Sequence, residues 1–177
     1  MIRCFRSLFV VFCAVALPAV ALIAAPHSAA AAQATERLGR FDGWEAFAAG
    51  EHAARVCWAA SLPKKSEHAP AKRGRAYFTV SERSADHGVD IVTANAGYTY
   101  RKGADVQLRI GTARFALYTK GGEAWSHDDR AVVAAMLKGR SLEVRDAPAK
   151  GATAVDIYDL AGFRQAHAAI AKACHRK

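Results

Sequence analysis

Serine, histidine and aspartate stand side by side in Trp125-Ser126-His127-Asp128-Asp129, and these side chains serve hydrolytic relays and metal centres alike. Their spacing suits neither use. Adjacent side chains diverge, so they cannot reproduce a nucleophile–base–acid relay, and His and Asp neighbours alone fix no metal geometry. Helix capping accounts for Asp128, and a buried Trp125 for the rest of the run. The chain has no HExxH, no GxSxG and no phosphate-loop pattern. His167 borders an apolar helical stripe, and the other histidines are scattered. No catalytic residue, metal ligand or cofactor is therefore assigned, and the chain reads as non-enzymatic. The rival is a secreted hydrolase whose site is assembled from distant residues, because such sites converge only in three dimensions. A pocket joining His127 to an acid and a nucleophile would favour it.

Binding chemistry is better represented. Between Lys64 and Arg75 the bases Lys64, Lys65, Lys72, Arg73 and Arg75 face a single acid, Glu67. Such a run attracts phosphate or sulfate groups with salt-sensitive strength; the alternative is a solvated hairpin loop whose charges keep a sheet edge soluble. Tyr98, Tyr100, Arg101 and Lys102 join two strands further on. They offer either a stacking platform for a ring or sugar or a cross-strand aromatic pair at a hairpin end. The two segments together form the candidate surface for an anionic envelope component. A third reading is a module that adds a strand or helix to another envelope protein, which requires an exposed apolar patch.

The formal charge of the whole chain is +9. Its N-terminus reads as a secretory signal peptide: Arg3 and Arg6, an uncharged apolar run from Leu8 to Ala25 broken by Pro18, then Ala30-Ala31-Ala32 before Gln33. Residues 1–32 are expected to be removed, leaving 33–177 as a single domain without a transmembrane span. An uncleaved anchor is the rival, because the apolar run approaches the length that crosses a bilayer. Losing Arg3 and Arg6 lowers the charge to about +7, which suits acidic lipid, lipopolysaccharide or glycan; nucleic acid is not an expected partner. Cys4 and Cys13 leave with the leader. Cys57 and Cys174 then remain, and in an oxidising compartment two cysteines most simply form one disulfide.

The elements that must position these groups are mostly strands. Val106–Ile110 and Phe115–Tyr118 alternate, with Gly111-Thr112 as a two-residue turn between them. Tyr77–Val80, Val89–Thr93, Arg55–Ala59, Leu142–Val144 and Ala154–Tyr158 also read as strands. A helix is expected over Asp129–Lys138, capped by Asp128 and stopped at Gly139. A second runs from about Leu160 to Cys174, with Asp159 as N-cap and Phe163, Ala166, Ile170 and Cys174 as its buried stripe. The expected fold is mainly β, sandwich-like and antiparallel, with two α-helices, the second at the C-terminus.

Taken in order, KKSE, KRGRAYFTVSER, GYTYRKGADVQLRIG, FALYT, GEAW, AAMLKGRSLEV and DIYDLAGFRQAHAAIAKAC make the chain resemble the invasion-associated locus B family from about Gly39 to Cys174. The resemblance implies an exported alphaproteobacterial protein, periplasmic or secreted, with peripheral outer-membrane association and a β-rich domain. The family name also implies a contribution to host-cell interaction. The fuller family pattern carries further cysteines and a Gly-Cys element before the last helix; this chain keeps only Cys57 and Cys174 and looks like a shorter branch. The family supplies no catalytic residues to carry over.

Overall fold

The computed structural model describes residues 34–86, 89–146 and 148–175. The expected leader, its cleavage point, Cys4 and Cys13 lie outside the described residues. Strands β1 (Glu36–Phe41), β2 (Trp44–Ala49), β3 (Val56–Ser61), β4 (Lys65–Glu67), β5 (Tyr77–Arg83) and β6 (Ile91–Asn95) come first. β7 (Val106–Ile110), β8 (Ala113–Lys120) and β9 (Glu123–Ser126) precede helix α1 (Asp129–Met136). β10 (Ser141–Asp146) and β11 (Ala154–Asp159) lead into helix α2 (Phe163–Cys174).

The strands form one antiparallel sheet in the order β1-β2-β3-β5-β6-β9-β8-β7-β10-β11-β4. This order forces the sheet to curl. β3 lies near one end and β4 at the other, yet only residues 62–64 join them. Four peptide links reach at most about 14 Å, so the two ends must meet. They do: Lys64 N–H donates to Ile157 O at 2.8 Å, and Trp44 Nε1–H to Asp159 O at 2.9 Å. The expected architecture, mainly antiparallel β with two helices, is thus built from a continuous rolled sheet, with strand twist supplying the curvature.

The core lies inside the roll. β7 alternates buried Val106, Leu108 and Ile110 with exposed Gln107 and Arg109, as its sequence pattern requires. On β2 and β3 the inward positions are Trp44, Ala46, Ala48, Cys57 and Ala59, all fully buried. Their small side chains let α2 approach closely; Phe163 packs on Trp44 with ring centroids 4.8 Å apart. The expected stripe Phe163, Ala166, Ile170 and Cys174 is the buried face of α2. Cys174 is bonded to Cys57, closing a separation of 117 residues with Cα atoms 5.9 Å apart. The chain-entropy account assigns such a loop about 5 kcal/mol as an upper value.

Four local expectations change. α2 begins at Phe163 rather than near Leu160, because Gly162 takes a left-handed φ of 83° and a Cβ there would collide with the Phe41 carbonyl. Asp159 instead caps the preceding turn, accepting from Ala161 N–H at 2.9 Å. α1 ends at Met136, two residues short of Lys138, while Asp128 caps it as expected by accepting from Ala131 N–H. Trp125 is only half-buried, because it sits on β9, a strand the sequence pattern does not announce.

Candidate functional site

The basic run does not form one surface. Its first part is β4, paired with β11, and its ammonium groups have local partners: Lys64 Nζ lies 3.0 Å from Asp159 and Lys65 Nζ 2.6 Å from Glu67. Arg73 turns inward. Its guanidinium donates to both carboxylate oxygens of Asp156 at 2.8 and 2.9 Å, and to Ser66 Oγ at 2.6 Å. Asp156 is 1% exposed and the Arg73 side chain 13%. This is a buried bidentate pair whose charge is already matched inside the fold. The hydrogen bonds from Arg73 to Asp156 hold its guanidinium pKa above the ordinary value. Lys72 and Arg75 remain exposed.

The tyrosines also point inward. Tyr100 is buried, with its hydroxyl on Ala94 O, and Tyr98 donates its hydroxyl to Asp146 Oδ1 at 2.5 Å. The two rings meet edge to face at 6.0 Å. They therefore make no exposed stacking platform, and of the four candidate residues there Arg101 and Lys102 face solvent. Burial raises both phenols, and it pushes the Asp146 carboxyl up to about 6. Asp146 Oδ2 is buried with no hydrogen-bond partner among the described residues. The fold does bring the two predicted segments together: Gly74 N–H donates to Gly97 O at 2.7 Å, and Gly97, at φ 77°, packs against Gly74 with no room for a Cβ. What meets there is backbone and buried acid, not a binding face.

The exposed chemistry lies next door. A cleft of about 550 Å³ opens on the outer face of β1, β2 and β3, lined by Arg40, Glu45, Phe47, Ala60, Ser61, Leu62, Lys64, Arg75 and Asp159 among others. Registry explains its composition. Arg40 pairs with Glu45, Glu45 with Ala60, and Phe47 with Trp58, so all project from the same face. Phe47 stacks on Trp58 at 5.5 Å, and Leu62 is 53% exposed. Two of the cations are partly matched, Arg40 by Glu45 at 3.6 Å and Lys64 by Asp159 at 3.0 Å. Arg75 has no ion-pair partner among the described residues.

The Ser-His-Asp run is dispersed. His127 packs on Tyr118 at 4.9 Å, Ser126 Oγ accepts from Asp128 N–H, and Asp129 accepts from Val92 N–H. His127 does not line the cleft.

The sequence reading missed three buried acids, although strand periodicity marks each one. Glu82 follows Phe78 and Val80 in phase, Asp146 follows Leu142 and Val144, and Asp156 lies between Ala154 and Tyr158. A period of two puts all three on the inner face, where a carboxylate demands a partner.

A comparison with protein-family models matches residues 44–171 to the family described as Invasion associated locus B (IalB) protein. No curated protein sequence and no solved structure matches the chain significantly.

Proposed function

Because the chain belongs to the invasion associated locus B family, we propose that it is an exported, non-enzymatic binding protein of the bacterial envelope. Its ligand is an anionic amphiphile held in the cleft between β1, β2 and β3. The observation that carries this reading is the composition of that cleft: Arg40, Lys64 and Arg75 ring the apolar surfaces of Phe47, Ala60 and Leu62. Cations at the rim attract a phosphate- or sulfate-bearing headgroup, and the apolar floor accepts the attached hydrocarbon. The disulfide supports an oxidising compartment. No helix among the described residues is long and apolar enough to cross a membrane, in keeping with peripheral association.

The test is co-sedimentation with vesicles containing phosphatidylglycerol, at low and high salt, against vesicles of phosphatidylcholine alone. Each cation at an anionic surface contributes about 1 kcal/mol. The double variant Lys64→Ala/Arg75→Ala is therefore expected to lose about 2 kcal/mol, about thirty-fold in affinity. Neutralising Lys72, Arg101 and Lys102, which lie outside the cleft, is expected to cost less. Equal binding by wild type and the cleft variant, or no binding at low salt, would remove the cleft from the account.

A further inference from the structure

Apart from the cleft, a polar cluster draws on three separate segments of the chain. Glu82 is the last inward residue of β5, Asp90 precedes β6, and His167 lies in α2. The Glu82 side chain is 3% exposed, Asp90 18% and His167 21%. His167 Nε2 is 2.9 Å from Asp90 Oδ1 and 3.8 Å from Glu82 Oε1. One donor atom from each of the three falls within 4.8 Å of the others. Two features distinguish this group from a surface patch of acids. The Glu82 side chain is buried, where a carboxylate demands a charged partner. The imidazole is held in place by Phe163, with ring centroids 5.7 Å apart.

The dimensions suit a metal ion. Zn²⁺ binds nitrogen and carboxylate oxygen at about 2.0–2.2 Å, so neighbouring ligands of a tetrahedral centre stand about 3.3–3.5 Å apart. His167 Nε2 stands 2.9 and 3.8 Å from the two carboxylate oxygens and all three donor atoms lie within 4.8 Å of one another, so small side-chain adjustments bring them to that spacing. A dication would balance the two carboxylates. The other oxygen of Glu82 is already oriented: His175 Nε2 lies 2.5 Å from Oε2, next in sequence to the disulfide-bonded Cys174. This is the outer-shell arrangement that fixes a ligand's direction. The disulfide anchors the end of α2 beside β5, and Cys174 Sγ itself sits 3.5 Å from Glu82 O. Both thiols are consumed in that bond, so the donor set is nitrogen and oxygen only.

We propose that Glu82, Asp90 and His167 form a binding site for a borderline divalent cation, with Zn²⁺ the best fit and the fourth position open to water. No short sequence motif announces it, because its ligands come from three elements and meet only when α2 docks. The test uses the untagged, disulfide-bonded mature chain, stripped with a chelator and titrated calorimetrically with Zn²⁺. One Zn²⁺ per chain is expected, with affinity falling at least about tenfold in Asp90→Asn and in His167→Gln. As a measurement that needs no variant to fold, the imidazole NMR signals of His167 should shift on adding Zn²⁺ before those of exposed His52, His68 and His127. Absence of stoichiometric binding, affinity unchanged in both variants, or shifts confined to the exposed histidines would each overturn the site.

Discussion

Replacing Asp146 by asparagine should make the protein more stable at neutral pH and leave its stability at mildly acidic pH nearly unchanged. The carboxyl is 1% exposed, one oxygen accepts from Tyr98 and the other has no partner, and burial raises its pKa from 3.8 to about 6. In the unfolded chain the group loses its proton near pH 3.8; in the folded chain it keeps that proton to about pH 6. Between these values the folded state binds more protons, so its stability falls as pH rises through the window. A shift of about two pH units, at 1.36 kcal/mol each, corresponds to about 3 kcal/mol. The Tyr98 bond is already contained in that shift, because the bond opposes it. Asparagine matches the protonated acid in shape and charge. The variant and wild type should therefore unfold alike at about pH 4 and differ by about 3 kcal/mol at about pH 7.5, the variant being the more stable. Glu143 and Asp159, whose pKa values are lowered by Arg109 and by the Ala161 amide respectively, contribute the opposite slope. They do so equally in both chains, so the difference isolates Asp146. Urea denaturation followed by tryptophan fluorescence at both pH values measures it. A stability difference that is the same at both would refute a desolvated carboxylate at this position.

Two further changes probe what holds the roll closed. Arg73→Met should destabilise by about 3–5 kcal/mol, because it strands the buried Asp156 carboxylate; adding Asp156→Asn should recover at least half of the loss in urea denaturation. Replacing Cys57 and Cys174 together by serine should cost about 2–5 kcal/mol, read as a lower denaturation midpoint, and a reducing agent should lower the wild-type midpoint in the same direction.

The strands that could be read from the sequence are those with one wet face. β7 and β8 alternate because their outer side chains meet water while the inner ones pack. β2 escaped notice for a reason visible in its packing. Its inner face is Trp44, Ala46 and Ala48, and its outer face carries Phe47, so apolar side chains occupy both phases and the alternation disappears. β4 is Lys-Ser-Glu, with no apolar residue at all; it is a strand only because β11 offers it an edge. Gly162 moved the start of α2 because the Phe41 backbone leaves no room for a side chain there, a contact across more than a hundred residues.

The sequence by itself determined the chemistry available: a mainly β chain with two helices, a basic run and the residue pattern of one family. Charge and composition are local properties. Which charges face solvent was decided by the tertiary structure. Arg73 is spent on Asp156 and Tyr98 on Asp146, each at a sequence separation that only the closing of the sheet can bridge. Arg75, Lys64 and Arg40 become one rim for the same reason. Sequence records which groups a chain possesses, but burial and pairing belong to the closed fold, where a charge taken from water must find a partner.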